Sequence, residues 1–331
     1  MAQPLPFNNT SKMLNPVCAT LGIFHQYYDW VHRDNSTGSI LFYEARGNLT
    51  DLEYTTHQST EGTHDAQVRT GTINFMSTEV ASGYYLHTSY SSHRRAALAA
   101  LRTAENADLI DRLLADPFYY YALPETLVLA ERPPFRHNHL HDMESMWWTA
   151  CWFFFFHGIR AEDGGNNDHD LQKQLEDARE LFPGTLKGGI RQSIFGGNSN
   201  IHPYRANLHK EFRIAVSALD DLREELSDRY THVECPGNIE RIGSLSAEPA
   251  EVHQKFKKVF LLAAFVHAKT QIAPLRTLLG PRWEDVPMVK PSIQTTDKKK
   301  KTELRRNPKR KAKASTETGP RRSTRKRTRR E

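Results

Sequence analysis

The residues best suited to chemistry stand in three runs near the start of the chain: His32-Arg33-Asp34, Asp51-Leu52-Glu53, and Gly71 to Glu79 (GTINFMSTE). Asp34 and Asp51 lie 17 residues apart. Between them, Ser39 to Tyr43 reads as a short strand, with Leu49 to Leu52 as its partner across a turn at Gly47-Asn48. Phosphoryl transfer is the reaction this set would serve. It is mostly positioning and charge neutralisation, and it asks for a carboxylate at the acceptor hydroxyl, ligands for Mg²⁺ and a cradle for phosphates.

Helices must carry these loops. Leu14 to Trp30 forms one if Pro16 sits in its first turn, which leaves residues 1–13 as a loose, disordered leader. His93 to Leu114 is helical, with apolar Ala96, Leu98, Leu101, Ile110 and Leu113, and is stopped at Asp116-Pro117. Asp142 to His157 is apolar on every side, as expected of a buried helix. Asp170 to Phe182 is a short amphipathic helix. Leu208, Phe212, Ala215, Leu219, Leu222 and Leu226 recur at helical spacing, and Glu251 to Lys269 makes another helix. Thr55 to Thr72, Glu162 to Asp168 and Gly188 to Asn200 read as loops. The fold class is mainly α (α+β), with short strands near Asp34 and Asp51.

Four segments resemble the fungal-type protein kinases: HRDNSTGSIL from His32, GNLTDLEYT from Gly47, RTGTINFMSTEV from Arg69 and PFRHNHLHDMESMWW from Pro134. The resemblance covers residues 14–160 and implies the helical C-terminal lobe of a protein kinase, with residues 161–286 completing it. It implies ATP and Mg²⁺ as cofactors and a protein Ser/Thr substrate. Asp34 would accept the proton of the acceptor hydroxyl, in a catalytic triplet with His32 and Arg33, which brace the backbone. Asp51 would hold Mg²⁺. Thr72 would reach Asp34 and shape the acceptor pocket. Glu79 would make a structural ion pair, and Asp142 would support the catalytic-loop backbone. Ser39 stands where H-R-D-x-x-x-x-N places an Asn that holds a second Mg²⁺, and a hydroxyl is a shorter, poorer ligand.

Only 31 residues precede His32, too few for an ATP-gripping lobe, and Lys12 is the one lysine among them. Glu79 to Phe135 is also longer than the family pattern. These departures lead to the expectation of impaired phosphotransfer, and to an alternative, a nuclear pseudokinase or scaffold that binds a partner protein. An uncovered lobe would expose the apolar face that meets its partner, favouring poor solubility or a dimer.

Charge is unevenly placed. Lys298 to Glu331 holds 17 Lys/Arg against 3 Glu, while the rest holds 28 bases against 36 acids. A basic tail from residue 287 with almost no apolar residues cannot fold alone. Its clusters, including Lys309, Arg310 and Lys311, read as a nuclear import signal or as a nonspecific nucleic-acid contact. The expected location is nuclear, otherwise cytoplasmic. No helix-turn-helix, zinc finger or zipper accompanies the tail, so sequence-specific DNA reading is not expected. Met146 to Phe156 is far shorter than the ~20 residues of a membrane span, and Trp147 and Trp148 are core. Cys18, Cys151 and Cys235 support neither a zinc site nor a disulfide framework. His137, His139 and His141 alternate, but are read as structural rather than as metal ligands.

Overall fold

The structure, a computed structural model, describes residues 5–58 (save 7 and 45), 71–87, a few positions between 103 and 111, 135–160, 170–185, 189–196, 201–234, 238, 249–266 and 270–285. The chain divides into two units, Met1–Pro291 and Ser292–Glu331. The second lies outside the described residues, and with it the expected tail signal at Lys309, Arg310 and Lys311. Most of the expected helix over residues 93–114, most of the expected loop over residues 55–72 and the loop over 162–168 also lie outside them; the described part of the 55–72 loop carries a two-residue strand at Thr56–His57.

The described fold is mainly α with small antiparallel sheets. Helix α1 (Asn8–Tyr27) leads to β2 (Trp30–Val31), the hairpin β3 (Ile40–Tyr43) and β4 (Arg46–Leu49), a 3₁₀ turn at Leu52–Tyr54, and β5 (Thr56–His57). A short α2 (Thr78–Ser82) precedes the central helix α3 (His139–Phe156), which runs into β6 (His157–Ile159). Then follow α4 (Leu171–Leu181), α5 (Gly189–Phe195), α6 (His202–Ala206), α7 (Lys210–Val233), α8 (Pro249–Val266), β7 (Gln271–Pro274), α9 (Leu275–Leu279) and α10 (Arg282–Asp285). β1 (Leu5–Pro6) and β6 flank β7 in one sheet, in which Ile159 pairs with Ile272. β2 pairs with β5, and β3 with β4.

α3 is the axis of the core. Asn138 accepts the Leu140 N–H and the His141 side chain accepts the Asn138 N–H, so the helix start is doubly capped. Leu140, Met143, Met146, Trp147, Trp148 and Phe155 are fully buried on it. Phe195 of α5 meets both Trp147 and Trp148, and Phe212 of α7 meets Phe154. Such aromatic packing supplies large apolar area, and the Trp147 indole N–H finds the Leu219 carbonyl. Phe212, Ala215, Leu219, Leu222 and Leu226 are all buried, as their spacing predicts.

Three local expectations differ from the structure. α1 begins at Asn8, inside the expected leader, and Pro16 lies in its interior. Its first turns are polar, so no apolar period marks them. The hairpin reverses at Glu44 (φ 49°) rather than at Gly47-Asn48, and Gly47 pairs with Phe42 inside β4. Gly47 serves a close approach instead: a Cβ there would stand 1.9 Å from the Met13 carbonyl oxygen. The expected loop over residues 188–200 contains α5 (Gly189–Phe195), whose Arg191, Ile194 and Phe195 are buried. Among the described residues no helix is long and apolar enough to cross a membrane.

Candidate functional site: a catalytic-loop cradle

Asp142, on the first turn of α3, organises the first region. Its two oxygens accept the backbone N–H groups of His32 (2.6 Å) and Arg33 (2.9 Å), and Oδ2 also faces His25 Nε2 at 2.9 Å. Burial would raise this carboxyl. The His25 hydrogen bond and charge and the His32 N–H outweigh burial and hold it down to about 2. Asp142 is therefore an ionised acceptor, and His25 donates to it. Arg33 needs this support because its backbone is left-handed (φ 74°). His32 Nε2 donates to the Thr50 carbonyl at 2.7 Å, tying the loop to the residue just before Asp51.

Asp34 is half-buried, and its Oδ1 accepts both the N–H (2.8 Å) and the hydroxyl (3.0 Å) of Thr72. Two runs 38 residues apart in sequence meet here. Gly71 makes the approach possible: its φ is 122°, and a Cβ would fall 2.9 Å from the Arg33 carbonyl oxygen.

Ser39 is fully buried. Its hydroxyl accepts the Ser36 N–H (2.9 Å) and donates to the Asp34 carbonyl (2.7 Å), while its own carbonyl accepts from the Thr50 N–H (2.9 Å). The hydroxyl fastens the loop to itself and faces the backbone, not an open site. Asp51 is exposed and left-handed (φ 61°), and its carboxylate makes no hydrogen bond capping the 3₁₀ turn that follows.

The second region holds the Gly71–Glu79 run. Arg191 of α5 donates to the carbonyls of Ile73 (2.9 Å) and Met76 (2.6 Å) and lies 4.1 Å over the Trp148 ring. Burial lowers its pKa to about 10, against the pull of Glu144. Glu144 accepts the Thr78 N–H (2.7 Å), the Trp148 indole N–H (3.0 Å) and the Tyr230 hydroxyl (2.9 Å). Burial still pushes Glu144 up, and these donors oppose the shift.

Glu79 is fully buried and accepts from His141 Nε2 (3.0 Å) and from the Leu86 N–H. His141 Nδ1 accepts the Asn138 N–H, so Nε2 is the protonated nitrogen. Burial would raise Glu79, but His141 holds it down, whereas burial and the Glu79 charge push Glu234 well up. The hydrogen-bond partner of Glu79 in this region is therefore the His141 imidazole.

The structure thus joins His32, Arg33, Asp34, Thr72 and Asp142 in one assembly, with Glu79 beneath the substrate-side run. Asp51 is linked only through its neighbour Thr50. Sequence reasoning missed His25, His253, Glu144, Arg191 and Glu234. Glu144 and His141 lie inside the quoted PFRHNHLHDMESMWW segment and were legible as buried polar residues in an apolar helix. The others carry no local signal.

Among the described residues no three His, Cys, Asp or Glu side chains converge as a metal cage. Mg²⁺ is bound through one or two carboxylates together with nucleotide phosphates and water, a demand that exposed Asp51 fits and the committed Ser39 hydroxyl does not.

Neither a curated protein nor a solved structure matches the chain. Residues 7–154, which include Asp34, Asp51, Thr72, Glu79 and Asp142, match the family model described as fungal protein kinase, so this part of the chain is similar to that family.

Proposed function

We propose that the chain takes part in ATP-dependent phosphoryl transfer to a Ser or Thr hydroxyl of a protein. The observation that supports this most is the Asp34 carboxylate fixed by Thr72 on a loop whose backbone is held by Asp142. Phosphoryl transfer depends on alignment of the acceptor more than on covalent chemistry by the protein. One oxygen of Asp34 is occupied by Thr72, and the other is left to accept the proton of an incoming hydroxyl as it attacks the γ-phosphorus of ATP and the bond to the departing ADP breaks. The Thr72 hydroxyl and N–H hold Asp34 at that task and border the acceptor. Asp51 would hold Mg²⁺, which when bound neutralises phosphate charge. Asp142, His32 and Arg33 keep the loop in place without touching the acceptor.

The test is transfer of labelled phosphate from ATP to Ser/Thr peptides, by this chain and by the product of its full-length transcript. Transfer that falls at least a hundredfold in Asp34→Asn supports the reading, an effect within the usual range for a general base of about 10²–10⁴. Transfer unchanged in Asp34→Asn overturns it.

A second reading is favoured by Ser39, whose hydroxyl is committed to the loop and leaves Asp51 as the metal-side carboxylate. In that reading the chain is a nuclear scaffold that binds a partner protein without turnover. Its basic tail, with Lys309, Arg310 and Lys311, would serve nuclear import or nonspecific nucleic-acid contact. Loss of nuclear accumulation on deletion of residues 298–331 supports the import role. Turnover lost in Asp51→Ala would exclude the scaffold.

A further inference from the structure

We propose that His253, on α8, is a positioning residue for the loop that carries Asp34, acting through His25 and Asp142. The three side chains form a buried file that crosses three helices. His253 Nε2 lies 2.9 Å from His25 Nδ1, His25 Nε2 lies 2.9 Å from Asp142 Oδ2, and Asp142 accepts the two loop N–H groups. His25 is fully inaccessible, and His253 and Asp142 are each 2% exposed.

Proton counting makes His253 more than filler. Asp142 is an acceptor toward His32, Arg33 and His25, so His25 Nε2 carries a proton. One further proton then lies between His25 Nδ1 and His253 Nε2, donated by one ring and accepted by the other. An imidazole bonded through one nitrogen alone can still tilt about that contact. Bonded through both, it has one orientation, and its Nε2–H is aimed at Asp142. The same logic governs ligating histidines, whose second nitrogen sets the ring's tautomer and direction.

The packing is shaped for this contact. Gly22, one turn before His25 on α1, faces the His253 ring, and a Cβ there would stand 3.4 Å from its Cγ and Cδ2. The Cys18 thiol, a turn earlier, faces the His253 carbonyl at 3.6 Å. His139 of α3 closes the side of the file, with its ring centre 5.9 Å from that of His25. Burial, followed by the charges of the neighbouring histidines, keeps His139 far below the usual histidine range, so it adds no charge to the file.

The experiment compares His253→Phe, which keeps a ring and removes the polar nitrogens, with His253→Gln, whose amide can present its nitrogen or its oxygen where Nε2 stands. The readout is amide hydrogen exchange at His32 and Arg33. The expected result is exchange about fivefold or more faster at these two amides in His253→Phe, the scale set by one ordinary buried hydrogen bond. Amides of α3 and α7 should be unchanged, and His253→Gln should restore protection. Unchanged exchange at His32 and Arg33 in a folded His253→Phe overturns the proposal, as does loosening that His253→Gln does not reverse.

Imidazole ¹⁵N spectra of the unaltered chain decide the matter even where His253→Phe does not fold. A ring proton bridging His25 and His253 is expected, and two unbonded ring nitrogens on His253 would overturn it. Only the catalytic meaning of the loop rests on the phosphoryl-transfer reading. Exchange and spectra need no activity, so a chain that transfers no phosphate leaves this test intact.

Discussion

Asp34 and Asp51 have equal rank in the motifs, yet the protein holds them in different ways. Asp34 is bonded twice to Thr72, and its loop hangs from Asp142 by two backbone N–H groups. Asp51 is exposed, with no capping bond from its side chain, and is tied to the assembly through its neighbour Thr50, which bonds to His32 and Ser39. Exposed apolar residues also gather on the elements flanking the Asp51 turn: Tyr27, Tyr28, Trp30, Phe42, Tyr43 and Leu52. The Asp34 side is over-determined by its own hydrogen bonds. The Asp51 side is left to whatever meets it. The contrast teaches that a shared motif need not mean a shared degree of preorganisation.

The largest expected effect comes from removing the anchor of the stronger side. Asp142→Ala would leave the N–H groups of His32 and Arg33 and the His25 Nε2–H without their acceptor in a buried place. Breaking a buried charge network by removing one partner costs about 3–5 kcal/mol, enough to unfold many domains. Urea unfolding followed by circular dichroism measures it. A loss below about 1 kcal/mol would mean that the cradle does not hold the loop.

Arg191→Met tests whether the substrate-side run depends on its distant anchor. The change keeps apolar length over Trp148 but removes the donors to Ile73 and Met76. A cost of about 2–3 kcal/mol is expected from the carbonyls left unpaired. Proteolysis should then begin within residues 71–79 before α3 opens. First cleavage elsewhere would show that Arg191 serves the core and not the run.

Much of this was legible in the chain, and what was not has physical causes. α3, α4, α7 and α8 announce themselves by apolar period or by near-continuous apolar content. Asp34, Thr72, Glu79 and Asp142 stand in motif order, and the structure brings Asp34 to Thr72 and Asp142 to the loop. α5 was hidden because seven residues between glycine-rich flanks give too short a window for a helical period. Gly47 misled because glycine marks turns as often as it marks close backbone approach. His253 and Arg191 reach partners more than 100 residues away, His25 and Met76 respectively, and no local pattern encodes a contact of that range.

The carboxyl pair beneath Glu79 sets a pH signature that the Asp34 side should show and the Asp51 side should not. Glu79 and Asp142 are held below their usual values, so their stabilisation is present above the ordinary carboxylate range. It is lost as pH falls, for Asp142 toward about 2. Glu234 has the opposite sign: its folded value is raised above 4.5, so its contribution is present in acid and lost as pH rises through that folded value. Glu79, His87, His141, Glu144 and Tyr230 all face this pocket. Glu234→Gln copies the protonated form. It should stabilise the protein at neutral pH, and the gain should vanish as pH falls through the ordinary carboxylate range. A pH-independent gain would point to packing instead.

The smallest expected effect belongs to Asp51→Ala, and its smallness carries the argument. An exposed carboxylate with no capping bond should leave the unfolding midpoint within about 0.5 kcal/mol of the parent. Relief of the left-handed backbone by alanine is not expected, because a Cβ remains and φ stays near 61°. The loss should appear elsewhere, as Mg²⁺-dependent nucleotide binding that weakens by tenfold or more in calorimetry, the scale of about 1.4 kcal/mol for one metal ligand. A midpoint that falls as far as in Asp142→Ala would erase the contrast, because the Asp51 side would then be built as firmly as the Asp34 side.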